Sequence, residues 1–91
     1  MPKITIYRRT SCSYCDAAKY LLEAKGVEPE EIDVTKDPAL RADMVERTGG
    51  GDTLPQIFIG ERHIGGCDEL IALDRKGELE VLLSGEAGSG A

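Results

Sequence analysis

The sequence predicts a small α/β layered domain: a four-stranded mixed sheet with helices on its faces. Three observations predict it. Hydrophobic periodicity orders the elements β-α-β-α-β-β-α-α. A β-α-β crossover joins parallel strands, whereas the two-residue link Gly60-Glu61 makes the last two strands an antiparallel hairpin. The chain has 91 residues, 41% of them hydrophobic, which bounds it to one domain with one small core.

Lys3-Ile4-Thr5-Ile6-Tyr7 alternates apolar and polar side chains with β-branched residues, the pattern of a first strand. Thr10 and Ser11 precede a helix whose apolar stripe is Ala17, Ala18, Leu21 and Leu22, with Gly26 as its C-terminal cap. Residues 31–34 form a short second strand with Ile32 and Val34 pointing one way. Asp37-Pro38 starts the next helix, Asp as N-cap and Pro at the first helical position; it runs to about Thr48 and stops at Gly49, Gly50 and Gly51. Gln56-Ile57-Phe58-Ile59 is the third strand and Arg62-His63-Ile64 the fourth. Gly65-Gly66 breaks that strand, and a helix over residues 68–75 follows with Asp68 as N-cap and Leu70, Ile71 and Leu73 apolar. A last helix covers about residues 78–83. Residues 84–91 are rich in Gly, Ser and Ala and are expected to be a disordered tail beyond a domain of residues 1–83.

The net charge is −6, a poor balance for neutralising phosphates, so nucleic acid is not an expected partner. No run approaches the roughly 20 apolar residues of a membrane span. The N-terminal stretch has no apolar signal core, which makes the cytoplasm the expected location. The charge is uneven: residues 1–25 hold Lys3, Arg8, Arg9, Lys19 and Lys25 against Asp16 and Glu23, a basic neighbourhood in an acidic chain.

Three cysteines, Cys12, Cys15 and Cys67, cannot complete a disulfide framework. In a reducing compartment such residues more often bind metal or carry redox chemistry. Cys12-Ser13-Tyr14-Cys15 stands where a strand hands over to a helix inside a β-α-β pattern, the context of a redox C-x-x-C pair. A thiolate at a helix N-terminus is favoured by unpaired N–H groups and the macrodipole. Arg8 and Arg9 add positive charge, lowering the Cys12 thiol from about 8.5 towards neutrality. Cys15, one helical turn later and more buried, is placed to close a disulfide with Cys12 and release a bound substrate. Two alternatives compete: a pair of inert core cysteines, and a zinc site made by Cys12, Cys15, His63 and Cys67. Against zinc, the two ligand pairs lie much further apart in the chain than in a zinc finger.

Leu54-Pro55 precedes the third strand, where a proline without an N–H belongs. Gly65-Gly66-Cys67-Asp68 opens another helix, whose free N–H groups suit a carboxylate while Asp68 suits an ammonium group. His63, the one histidine, reads as a half-exposed sheet residue rather than a catalytic one. Cys67 reads as a small packing residue, with a mixed disulfide to a small thiol or a dimer disulfide as alternatives.

Taken together, Tyr7, Cys12-x-Tyr14-Cys15, Thr53-Leu54-Pro55-Gln56-Ile57-Phe58-Ile59 and Ile64-Gly65-Gly66-Cys67-Asp68-Glu69-Leu70 resemble a glutaredoxin of the small bacterial dithiol type. The resemblance covers about residues 3–83. It implies a thioredoxin fold with sheet order 2-1-3-4 and glutathione-dependent reduction of protein–glutathione mixed disulfides and protein disulfides. It makes Cys12 the nucleophile, Cys15 the resolving cysteine and Cys12–Cys15 the redox-active disulfide. It implies a cis bond before Pro55, with the Leu54 backbone pairing with the cysteine of glutathione. Thr53 belongs to the same binding set and Tyr14 lines the groove. Arg9 lies near the glycyl carboxylate, and Gly66, Cys67 and Asp68 hold the γ-glutamyl end. A monomer that needs no metal is expected.

Three departures from the family pattern stand out. Ser13 replaces the usual Pro and restores an N–H beside Cys12. Some family members without this proline assemble a [2Fe-2S] cluster between two chains, with two glutathiones as ligands, which gives the alternative reading of a cluster-bridged dimer held by Cys12. The segment Gly49-Gly50-Gly51-Asp52 is one residue longer than in close relatives and lacks a basic residue, leaving Arg47 as the substitute carboxylate contact. Pro29 makes the second strand start late and lie at an edge. A thioredoxin reading is disfavoured because the chain has no Trp.

Overall fold

The computed structural model describes residues 2–84. Its elements are β1 (Ile4–Arg8), α1 (Ser13–Ala24), β2 (Glu30–Asp33), α2 (Pro38–Arg47), β3 (Gln56–Ile59), β4 (Arg62–Gly65), α3 (Cys67–Arg75) and α4 (Leu79–Ser84). The strands form one sheet in the order β2-β1-β3-β4. β1 pairs parallel with β2 and antiparallel with β3, and β3 pairs antiparallel with β4. This is the thioredoxin-fold arrangement that the resemblance implies. β2 begins at Glu30, directly after Pro29, and is an edge strand as expected.

Alternation along β1 and β3 divides the apolar residues between the two faces of the sheet. Ile4, Ile6, Ile57 and Ile59 pack with Ala18 and Leu22 of α1, Leu70 of α3, and Leu79, Leu82 and Leu83 of α4. Tyr7 and Phe58 pack on the other face with Val34 and with Met44 of α2. The single small core expected from composition is therefore two clusters. A strand buried on both sides needs apolar cover on both, and helices supply it.

The helix ends follow local chemistry. Asp37 caps α2, its carboxylate accepting from the Leu40 N–H at 3.1 Å with Pro38 at the first position. α1 closes in a Schellman motif: Gly26, at φ +86°, donates to the Glu23 carbonyl and Val27 to the Leu22 carbonyl. α2 and α3 close in the same way through Gly49 and Gly77. α3 corrects one expectation. Its N-cap is Gly66, not Asp68; the helix starts at Cys67, and the Glu69 carboxylate accepts the Gly66 N–H at 2.8 Å. α4 runs through Ser84, so the expected tail loses its first residue to a helix, and residues 85–91 lie outside the described residues.

Candidate functional site

Cys12 is the N-cap of α1, and it follows Ser11, whose φ of +55° places a non-glycine residue in the left-handed region. That conformation costs on the order of 1–2 kcal/mol, so the surroundings must hold it. They do so through the preceding residue. The Thr10 N–H donates to the Thr35 hydroxyl at 2.8 Å, and the Thr10 hydroxyl donates to the Asp33 carboxylate at 2.7 Å. Asp33 also accepts the Thr35 N–H at 2.8 Å. Hydrogen bonds from Thr35 first, and then from Thr10, hold the Asp33 carboxyl down at about 2. The loop leading to Cys12 is thus tied to the end of β2.

Cys12 and Cys15 are joined as a disulfide, with Cα atoms 5.2 Å apart. Both are buried, Cys15 fully. The Cys15 N–H donates to the Cys12 sulfur at 3.2 Å. One of the donors that a helix start leaves unpaired is therefore aimed at Cys12, where reduction would leave a thiolate. The inert-pair alternative sits poorly with this arrangement. Zinc is not supported by the donor geometry either: among the described residues no three of His, Cys, Asp and Glu are gathered closely enough to hold a metal ion.

Arg8 does not act as expected. Its guanidinium is paired with Asp16 at 2.9 Å and with Glu31 at 2.8 Å, so two carboxylates match its charge. Lys19 also reaches Glu31, at 3.0 Å. The Lys19 ammonium first, with burial opposing it and Arg8 adding to it, holds the Glu31 carboxyl below the usual carboxylate range. Arg9 is exposed and has no ion-pair partner among the described residues, which leaves it as the uncompensated cation of this stretch.

An open cleft of about 210 Å³ is lined by Tyr14, which stands between Cys12 and Cys15 in the chain, and by Thr53, Leu54, Pro55, Gly66, Cys67, Asp68 and Glu69. Three chain segments build it: the first turn of α1, the loop before β3, and the start of α3. The Leu54–Pro55 bond is cis. Tyr14 is 66% exposed and forms one wall. Asp68, as the second helical residue rather than the cap, stays exposed at the cleft. Of the expected binding set, Tyr14, Thr53, Leu54, Pro55, Gly66, Cys67 and Asp68 meet here, whereas Arg9 does not line the cleft.

Arg47 is elsewhere too. Its guanidinium donates to the Tyr7 hydroxyl at 2.8 Å and lies 4.1 Å above the Phe58 ring, on the face that α2 covers. The aromatic pair beneath it captures the cation, so it does not replace the missing basic residue of the loop. Cys67 packs in the larger cluster, and burial first, then Asp68 and Glu69, pushes its thiol up. Cys67 thus packs against the core while also contributing to the cleft lining.

Glu69 escaped the sequence reading. Its carboxylate holds Gly66 and lies where a Cβ on Gly65, at φ +114°, would come within 2.7 Å of it. An acid three residues after a glycine break was the available signal. His63 and Gln56 escaped as a pair, because they are seven residues apart and meet only across the hairpin.

The comparisons with known proteins show the family and the fold. The glutaredoxin family model matches residues 4–64. A glutaredoxin of Pseudomonas aeruginosa is 51% identical over 84 residues, 92% of this chain and 99% of that protein. Glutaredoxin 3 of Escherichia coli is 47% identical over 83 residues, 91% of this chain and 99% of that protein. Among solved structures, a buckwheat glutaredoxin–glutathione complex superposes with a TM-score of 0.81 at 31% identity, covering 91% of this chain and 77% of that one. With a redox-active Cys12–Cys15 pair on a thioredoxin fold, the chain belongs to the glutaredoxin family.

Proposed function

We propose that the protein is a glutathione-dependent thiol–disulfide oxidoreductase that removes glutathione from proteins and reduces protein disulfides. The observation that carries the reading is the Cys12 sulfur at the N-terminus of α1, accepting the Cys15 N–H, with Tyr14 of the same turn lining the cleft. The buckwheat relative solved with glutathione supports the choice of ligand.

The Cys12 thiolate attacks the glutathione sulfur of a mixed disulfide. The Cys12–glutathione bond forms as the protein–glutathione bond breaks, and the protein thiolate leaves and takes a proton. A second glutathione thiolate then attacks the bound glutathione sulfur, releasing glutathione disulfide and regenerating the Cys12 thiolate. For a protein disulfide, the Cys12 thiolate attacks one sulfur and expels the other as a thiolate; Cys15 then attacks the Cys12 sulfur, expelling the second protein thiolate, and two glutathiones later reduce the Cys12–Cys15 disulfide and leave as glutathione disulfide. In this reading the Leu54 backbone, Thr53, Pro55 and Tyr14 hold the glutathione cysteine and its flanks. Gly66, Cys67 and Asp68 hold the γ-glutamyl end, Asp68 facing the ammonium, while exposed Arg9 draws the anionic tripeptide. The Gly66 N–H, already bound to Glu69, is not among the groups that receive it. The setting we infer is the reducing cytoplasm, with the protein a monomer. No helix among the described residues is long and apolar enough to cross a membrane.

The test is glutathione-driven turnover of a glutathionylated peptide by the parent, Cys12→Ser and Cys15→Ser. We expect Cys12→Ser to be inactive and Cys15→Ser to retain turnover of the peptide while losing that of protein disulfides. Activity in Cys12→Ser would overturn the reading.

One observation favours a second reading, a [2Fe-2S] cluster bridging two chains. Ser13, not proline, occupies the first position of α1 beside Cys12. In this reading Cys12 is the one ligand from each chain, and two glutathiones would complete four sulfur ligands. Such a cluster would supply one-electron chemistry or serve as cargo. Protein handled without oxygen, with iron, sulfide and glutathione supplied, should then be brown and dimeric; a colourless monomer under those conditions excludes it.

A further inference from the structure

The cleft wall at Thr53 is backed by a hydrogen-bonded relay that the proposed reaction does not itself require. The Gln56 Nε2 amide donates to the Thr53 hydroxyl oxygen at 3.1 Å, and the Gln56 Oε1 lies 2.6 Å from His63 Nε2. An amide oxygen only accepts, so His63 Nε2 carries a proton and donates. The amide is enclosed: Gln56 is 4% exposed, and a Cβ on Gly51 would come within 3.1 Å of its nitrogen. The His63 ring is held in turn, 4.9 Å from the Phe58 ring and tilted by 30°. A buried amide with its oxygen committed to a histidine donor has its nitrogen committed the other way.

The polarity of this relay has a consequence at the cleft. The Thr53 oxygen already accepts from Gln56, and among the described residues its hydroxyl proton goes to no acceptor. That proton is therefore presented as a donor at a residue lining the cleft.

We propose that His63 and Gln56 are positioning residues that set Thr53 as a hydrogen-bond donor to a carboxylate or carbonyl oxygen of the glutathionyl group. The inference deepens the oxidoreductase reading and rests on it. Neither His63 nor Gln56 lines the cleft. Their effect falls on binding of the glutathionylated substrate, and the Cys12 chemistry is left as it is.

The experiment is steady-state turnover of a glutathionylated peptide by the parent, His63→Phe, Thr53→Val and the double variant. Phe keeps a ring on Phe58 and removes only the N–H. We expect His63→Phe to raise KM for the peptide about fivefold, the size of one net hydrogen bond, with kcat within about twofold of the parent. Thr53→Val should raise KM similarly, and His63→Phe should then add nothing, since both changes cut the same chain. His63→Gln, which keeps a donor, should recover part of the loss. An unchanged KM in His63→Phe, a fall in kcat at constant KM, or full additivity with Thr53→Val would overturn the proposal. Should His63→Phe fail to fold, Gln56→Glu serves in its place. The new carboxylate accepts from both neighbours, consumes the Thr53 proton and should raise KM; an unchanged KM overturns the proposal equally. A parent that does not turn over the peptide sinks the oxidoreductase reading, whereas an active parent with an indifferent His63→Phe sinks the relay alone.

Discussion

The Thr10 hydroxyl donates to the Asp33 carboxylate across 2.7 Å, joining the loop before Cys12 to the last residue of β2. Asp33 is held down at about 2 by Thr35 and Thr10, against an ordinary value near 4. A depressed carboxyl stabilises the fold above its unfolded value and loses that contribution as pH falls through its folded value. Asp33→Asn should therefore lower the melting temperature at pH 6. The gap to the parent should narrow between about pH 4 and pH 2. Thermal unfolding across that range checks it; a gap of constant size would show that the carboxylate charge is not what ties the loop.

Ser11 holds φ +55° directly before the candidate nucleophile. Ser11→Gly should be tolerated, because glycine adopts that region without a Cβ clash. Ser11→Val should lose about 1–2 kcal/mol in urea unfolding, since a β-branched side chain is disfavoured there. Equal stability of the two variants would mean that the loop relaxes to another conformation.

Ser13 is the first residue of α1 and is exposed. Proline fits the first helical position, because its missing N–H has no intrahelical partner to lose. Ser13→Pro should therefore fold with a stability within about 1 kcal/mol of the parent. If the cluster reading holds, the same variant should stay colourless in an anaerobic preparation in which the parent is brown.

Cys67 lies in the apolar cluster, and burial, with Asp68 and Glu69 adding to it, pushes its thiol up. A raised thiol stays protonated near neutrality, and the protonated thiol is the poor nucleophile. Alkylation of the reduced protein with iodoacetamide at pH 7 should label Cys12 first and leave Cys67 unlabelled until the chain is unfolded. Mass spectrometry of the peptides reads the order. Early labelling of Cys67 would contradict its enclosed state.

Local chemistry determined the frame of this protein. The alternation of Ile4, Thr5, Ile6 and Tyr7, the Asp37-Pro38 start, the Gly26 stop and the Gly60-Glu61 hairpin each act over a few residues. For that reason strands, helices and their order were legible without coordinates. The C-x-x-C pair at a strand-to-helix junction was legible for the same reason, since three residues of spacing place both sulfurs on the first turn of α1. What only the tertiary structure decided is how charges and hydrogen bonds are shared across elements. Arg8 was expected to serve Cys12 and instead serves Asp16 and Glu31, because β2 and α1 bring two carboxylates to it. Arg47 was expected at the cleft and instead lies over Phe58, because α2 covers that face. Gly66 rather than Asp68 caps α3, because Glu69 turns back to its N–H. Thr53, Gln56 and His63 become one chain only when β3 and β4 pair. A charged or amide side chain takes the best partner within its reach, and which partners are within reach is set by packing between segments distant in the sequence.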